Sequence, residues 1–120
     1  MIMNNKNIGD EGEKLVLEYI KSNNYKILSH NYRNRIGEID IIAIDKEVLV
    51  FIEVKTRNNN MYGRPSEAVD KRKQMKIINT SLLYIQMNKL NNVQVRYDVA
   101  EVYPLDNNKI IYIKNAFIAW

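Results

Sequence analysis

The chain has 120 residues, of which 46% are hydrophobic and 27% charged, and its formal net charge is +4. This length fits one domain, which we expect to span residues 1–120, and the lack of cysteine excludes disulfides, thiolate metal sites and cysteine nucleophiles. No apolar run reaches the roughly 18 residues of a membrane span, and residues 1–10 lack the apolar stretch of a secretory signal, so we expect a cytoplasmic protein without a membrane partner.

Helical and extended patterns follow one another along the chain. One helix is predicted from Ile8 to Ser22, and a second from Ser66, as its N-cap, to about Met87. Five strands are predicted, at residues 25–33, 37–44, 48–56, 93–102 and 110–113. The resulting order, α-β-β-β-α-β-β, indicates an α/β domain with a central mixed sheet flanked by helices.

Apolar residues indicate which surfaces of these elements are buried. In the second helix the predicted buried stripe consists of Met75, Ile78, Leu82 and Ile85. The strand at residues 48–56 begins with a continuous apolar run from Val48 to Ile52. A run that is apolar on both faces predicts a central strand covered from both sides.

Two neighbouring strands carry charges that a protein core disfavours. Asp40 interrupts an isoleucine-rich strand, and Glu53 and Lys55 follow the apolar run of the next strand. Burying an unpaired charge costs several kcal/mol, so a compensating partner is expected. If a tight turn pairs Asp45 with Val48, Asp40 lies opposite Glu53, with Cβ atoms about 5 Å apart. A shift of one residue in the turn would move one carboxylate to the other face.

Facing carboxylates point to a metal site. Two such groups repel each other, and a divalent cation relieves the repulsion. Oxygen ligands select a hard ion, Mg²⁺ or Mn²⁺, which can polarise a phosphate, lower the pKa of bound water and position the reactants. Lys55 projects on the same face as Glu53, where its ammonium can orient the attacking water or stabilise charge on the phosphate. We therefore take Asp40, Glu53 and Lys55 as the candidate catalytic group.

Glu13 adds a third acidic residue to this pattern. It lies on the apolar stripe of the first helix, before Val16 and Ile20. It is either a further metal ligand or an N-terminal glutamate favoured by the helix dipole, and both interpretations stay open.

Positive charge is concentrated in one segment. Residues 55–76 contain seven basic and two acidic residues, whereas the rest of the chain contains 11 basic and 12 acidic residues. Such a segment either forms a solvated helix face or attracts a polyanion. The candidate contacts for nucleic acid are Arg57, Arg64, Lys71, Arg72, Lys73 and Lys76.

Several motifs resemble those of a known family in order and spacing. They are Gly12-Glu13, Asn31-Tyr32-Arg33, Gly37 to Ala43, Val50 to Arg57, Tyr62-Gly63, Lys73 and Arg96 to Val99. Over about residues 8–118 the chain resembles the bacterial YraN family, which is similar to archaeal Holliday-junction resolvases, and Asp40 with Glu53-Val54-Lys55 resembles the core motif of the restriction-endonuclease-like PD-(D/E)xK superfamily. The resemblance implies a nuclease fold, with metal ligands Glu13, Asp40 and Glu53, the catalytic lysine Lys55, and Arg57 and Lys73 near substrate phosphates.

Other polar and aromatic residues leave alternatives open. Glu38 is either a second acid behind the site or solvated, and Asp98 pairs with Arg96 or a helix lysine, or else binds metal. Tyr62 either stacks on a base or packs on the sheet. Phe117 and Trp120 are expected to cover a sheet edge or form a dimer contact, and we expect no role for His30.

Three functions are compatible with this pattern. The first is a metal-dependent endonuclease that cleaves phosphodiester bonds in branched, flapped or otherwise structured DNA. The second is a nucleic-acid-binding module that has the nuclease fold but no turnover, and it predicts salt-sensitive binding. The third is a homodimeric scaffold for a repair or competence partner, with the short last strand and the apolar tail as the edge for association.

Overall fold

Five strands form one mixed sheet in the spatial order β1-β2-β3-β4-β5. They are β1 (Lys26–Arg33), β2 (Glu38–Asp45), β3 (Val48–Thr56), β4 (Gln94–Tyr103) and β5 (Lys109–Phe117). Neighbouring strands are antiparallel except β3 and β4, which are parallel. The helices are α1 (Asn5–Ser22) and α2 (Lys71–Met87), so the predicted α/β class and element order are confirmed. A computed structural model describes residues 5–57 and 69–119 of the chain.

Each face of the sheet is covered by one helix. On the face that we call the α1 face, Val16 and Ile20 of α1 pack with Val50 and Ile52 of β3. On the opposite face, the α2 face, Ile77 and Ile78 belong to the same core cluster as Leu49 and Phe51 of β3. Alternate residues of β3 therefore enter different cores, which confirms the prediction of a central strand covered on both sides.

Helix α2 differs from the prediction in its start and in its buried stripe. The helix begins at Lys71 with Asp70 as N-cap, whereas the predicted cap, Ser66, lies outside the described residues. Met75 and Leu82 are 48% and 53% exposed, so their assignment to the core was wrong. The buried residues of the helix are Ile77, Ile78, Thr80, Ser81, Leu83 and Tyr84.

Hydrogen bonds explain how polar residues occupy that buried face. Thr80 Oγ1 donates to the Lys76 carbonyl at 2.7 Å, and Ser81 Oγ lies 2.6 Å from the Tyr97 hydroxyl. Satisfied hydroxyls can replace apolar side chains in a core at little cost. A buried stripe of α2 that is predicted from hydrophobicity alone is therefore assigned to neighbouring apolar residues instead of these buried hydroxyl residues.

The sheet ends in antiparallel edge strands, β1 and β5. The last strand extends to Phe117, beyond the predicted residues 110–113. Phe117 is buried and stacks on Tyr97, with ring centroids 5.2 Å apart, while Trp120 lies outside the described residues. Neither helix of the described ranges is both long and apolar enough to cross a membrane.

Candidate metal and phosphate site

The β2–β3 hairpin has the register that the tight turn predicts. Asp45 pairs with Val48, and the ladder continues to Ile41 opposite Ile52. Lys46 adopts the left-handed conformation, with φ of 59°, which a two-residue turn requires. This register directs Asp40 and Glu53 toward each other, although the paired ladder stops one residue before them.

The side chains of β2 change from one face of the sheet to the other at Asp40. Ile39 packs on the α2 face and Ile41 on the α1 face, although residues two apart in a regular strand share a face. In the neighbouring strand β1, Asn31 has a left-handed backbone, with φ of 53°, between the partners of Ile39 and Ile41. Both strands therefore rotate at this point, as strands often do beside functional sites.

The rotation turns the Asp40 side chain toward β3. Asp40 Oδ2 accepts a hydrogen bond from the Val54 backbone N–H at 2.8 Å. Asp40 and Glu53 lie close enough for the charge of Asp40 to act on the Glu53 carboxylate. Burial and the negative charge of Asp40 raise the pKa of Glu53 to about 7, and burial also raises the pKa of Asp40. The structure thus holds two acids together despite their mutual repulsion.

Two lysines face this acidic pair. Lys55 follows Glu53 by two residues on the α2 face, and Lys73 Nζ of α2 lies 3.8 Å from Glu53 Oε1. Both ammonium groups lower the pKa values of Asp40 and Glu53, against the larger effect of burial. The acids and these two lysines therefore form one electrostatic unit at the end of β3.

Glu13 reaches the same region from α1. Its side chain is 12% exposed, and burial and the charge of Asp40 raise its pKa to about 7. The Asn31 amide, oriented with its nitrogen toward α1, donates to both oxygens of Glu13 at 3.0 Å. His30 Nδ1 lies 3.9 Å from Glu13 Oε1. Glu13 is thus near Asp40 but is held by groups of β1.

The donor set suits a hard cation with few protein ligands. Within residues 5–57 and 69–119, no three His, Asp or Glu side chains are close enough together to hold one ion. Asp40 and Glu53 provide two carboxylates, and Mg²⁺ is commonly bound by one or two carboxylates plus water. The residues present therefore fit such an ion through Asp40 and Glu53, with Glu13 nearby.

Arg57 has a partner inside the protein. Its Nε and Nη2 donate to Glu101 Oε2 of β4 at 3.0 and 2.8 Å. The Glu101 side chain is 1% exposed and that of Arg57 is 27% exposed. The guanidinium that was expected near substrate phosphates is therefore held by a buried carboxylate of the neighbouring strand.

Four of the predicted nucleic-acid contacts lie on the first turns of α2. Lys71, Arg72, Lys73 and Lys76 are all exposed, so this surface is available to a polyanion. Arg64 and Tyr62, also considered as contacts, lie outside the described residues. The site and this basic surface meet at Lys73.

The remaining candidates have local partners. Glu38 is exposed and forms an ion pair with Arg33, which favours its solvated role. Asp98 is fully buried and accepts hydrogen bonds from Arg96, as expected for a structural pair.

Two contacts at the site were not anticipated from the sequence. Glu101 interrupts the apolar residues 99–103 of β4, which is the same kind of signal that singled out Asp40. The contact between Asn31 and Glu13 has no such signal, because it depends on the left-handed backbone of Asn31.

Comparison with known proteins identifies similar chains over almost the whole length. Residues 12–102 match the model of the uncharacterised protein family UPF0102. The chain is 50% identical over 115 residues to a UPF0102 protein of Clostridioides difficile, covering 96% of this chain and 100% of that protein. It is 44% identical over 119 residues to one of Caldanaerobacter subterraneus, covering 96% and 98%. A UPF0102 protein of Alkaliphilus oremlandii is 47% identical over 116 residues, covering 94% and 99%.

Proposed function

The chain belongs to the UPF0102 family, the YraN-type family that its motifs resemble, and we propose that it is a metal-dependent endonuclease with a restriction-endonuclease-like core. The substrate class is structured or branched DNA, and the cofactor is Mg²⁺ or Mn²⁺. The observation that carries the proposal is the close pair of Asp40 and Glu53 beside Lys55 and Lys73. Acids with raised pKa values in contact with cations are typical of functional sites.

Each residue of the site has a chemical role in this proposal. Asp40 and Glu53 hold the ion, and Glu13 contributes through its proximity to Asp40. When bound, a divalent ion supplies Lewis-acid polarisation of the phosphate and a lowered pKa for water. Lys55 places an ammonium on the α2 face, where it stabilises negative charge that develops on the phosphate.

The basic surface of α2 supplies affinity for the nucleic-acid backbone. Lys71, Arg72 and Lys76 are exposed close to the site and are suited to phosphate oxygens. Such contacts release counterions, so binding weakens as salt concentration rises.

Cleavage assays with matched variants test the proposal. Labelled flap, four-way-junction, duplex and single-stranded DNA would be incubated with Mg²⁺ or Mn²⁺. Asp40→Asn and Glu53→Gln should abolish cleavage, and Asn at position 40 retains an oxygen that can accept the Val54 N–H. Glu47→Gln, at the far end of the same hairpin, is the control and should cleave as the wild type does. Equal cleavage by wild type and Asp40→Asn would reject the proposal.

A second candidate is a nucleic-acid-binding module without turnover. It is favoured by two observations, the absence of a three-ligand group among the described residues and the Lys73–Glu53 ion pair. Fluorescence anisotropy with the same DNA would then give salt-sensitive binding, unchanged by Asp40→Asn and with no metal-dependent product. Cleavage by the wild type but not by Asp40→Asn would favour the enzyme over the binding module.

A further inference from the structure

Lys73 connects the acidic pair with the exposed basic surface of α2. Its backbone N–H donates to the N-cap Asp70 at 2.9 Å, which fixes the first turn of the helix beside β3. Its side chain is 47% exposed, whereas that of its partner Glu53 is 10% exposed. One end of the ion pair is therefore held in the protein while the other remains accessible to solvent.

The ion pair places an ammonium group beside the carboxylate that is expected to bind the metal ion. Lys73 Nζ lies 3.8 Å from Glu53 Oε1, and with Lys55 it balances the two negative charges of Asp40 and Glu53. A divalent ion bound by Glu53 would add positive charge next to this ammonium, and like charges at short range repel. Metal and Lys73 are thus alternative partners for one carboxylate.

We propose that Lys73 is an internal counter-cation of Glu53, which a divalent metal displaces and which then contacts a nucleic-acid phosphate. The inference rests on the proposed function, because it takes Glu53 as a metal ligand. Lysine suits this exchange since its ammonium is a point charge on a flexible four-carbon stem. The ammonium end of the pair is half-exposed and lies 3.8 Å from Glu53 Oε1, so solvent weakens the interaction and the lysine can be displaced.

The exchange would link the two binding events thermodynamically. If metal binding frees Lys73 for phosphate, metal increases the affinity for nucleic acid, and nucleic acid increases the affinity for metal by the same factor. Without Lys73, metal binds more tightly to the free protein and the linkage is lost. A purely structural ion pair would give neither effect.

Calorimetric titration of the full chain with Mn²⁺ in the absence of nucleic acid tests the first effect. Lys73→Gln should lower the Kd for Mn²⁺ about fivefold or more, a typical size for coupled sites. The matched control is Lys21→Gln, which removes the same charge from an exposed position in the last turn of α1 and should leave the Kd near that of the wild type. Equal Kd values for Lys73→Gln and Lys21→Gln would overturn the inference.

Anisotropy of a labelled DNA duplex tests the second effect, with Ca²⁺ as an oxygen-ligated ion. Ca²⁺ should tighten DNA binding by the wild type and by Lys21→Gln, but not by Lys73→Gln. Tightening that persists in Lys73→Gln would contradict the inference. If the wild type and Lys73→Gln both fail to bind Mn²⁺, the proposed function fails and this inference with it. If both bind it equally, only the inference fails.

Discussion

Arg57 donates two hydrogen bonds to a single oxygen of Glu101, at 3.0 and 2.8 Å, and thereby compensates a carboxylate that is 1% exposed. Removing one member of a buried pair leaves the other charge without a partner, which costs about 3–5 kcal/mol. Because Arg57 is 27% exposed, we expect Arg57→Ala to lower the free energy of unfolding by about 3 kcal/mol, measured by urea denaturation.

Two further variants separate pairing from general loss of charge. Arg35→Ala, at an exposed position in the β1–β2 turn, should change stability by no more than about 0.5 kcal/mol. In a Glu101→Gln background, Arg57→Ala should cost much less than in the wild type. A similar cost in both backgrounds would show that the pair is not the cause. DNA cleavage by Arg57→Ala must therefore be compared with that of the wild type at a temperature at which the variant is folded.

The contact between α1 and β3 leaves no room for a side chain at Gly12. A Cβ there would lie 2.2 Å from Thr56 Oγ1 but 3.5 Å from Thr56 Cβ. Overpacking by Gly12→Ala should therefore destabilise the wild type by about 1–3 kcal/mol. The higher helix propensity of alanine offsets about 1 kcal/mol of this cost.

The same substitution should have the opposite sign when the hydroxyl is removed. In a Thr56→Ala background, Gly12→Ala should stabilise the protein by up to about 1 kcal/mol, since only the gain in helix propensity remains. Thermal unfolding of the four proteins gives the coupling energy between the two positions. A coupling energy near zero would mean that α1 and β3 do not approach this closely.

The acidic pair should make the protein less stable as pH rises. Glu53 has its pKa raised from 4.5 to about 7, so between these values the folded protein retains a proton that the unfolded chain has lost. The free energy of unfolding should therefore decrease from about pH 4.5 to about pH 7 and then level off. Urea midpoints at pH 5, 6, 7 and 8 would measure the decrease.

Glu53→Gln should remove much of this decrease and stabilise the protein at pH 8 by roughly 2 kcal/mol. Part of the decrease should remain, because Glu13 also has its pKa raised to about 7. Glu47→Gln, an exposed change in the β2–β3 turn, should follow the wild-type curve. Parallel curves for Glu53→Gln and the wild type would contradict the electrostatic description of the site.

Asp98 should be required for the stability of the fold and should have no effect on metal binding. Its carboxylate accepts from Arg96 Nε at 2.9 Å, from the Tyr112 hydroxyl at 2.6 Å and from the Asn115 N–H at 2.9 Å. Asp98→Asn removes the charge that these donors surround and should cost about 3 kcal/mol. Its Kd for Mn²⁺ should equal that of the wild type, and so should that of the control Asp106→Asn. A weaker Mn²⁺ affinity only in folded Asp98→Asn would assign Asp98 to the site.

Local rules were sufficient to predict some parts of the fold and not others. The hairpin register followed from a two-residue turn, so the approach of Asp40 to Glu53 was predictable. The rotation of β2 at Asp40 was not, because it accompanies the left-handed Asn31 in the neighbouring strand. The buried stripe of α2 was misplaced because Thr80 and Ser81 are buried through hydrogen bonds, which hydropathy does not record.

The parallel pairing of β3 with β4 predicts an order of events during folding. Asp40 and Glu53 belong to one antiparallel hairpin with a two-residue turn, and such local contacts can form within microseconds. Lys73 and Glu101 reach β3 only after the long crossover through α2 has closed, and closing non-local contacts is slower. The acidic pair would therefore form first, and its mutual repulsion would persist until the crossover brings Lys73 into place.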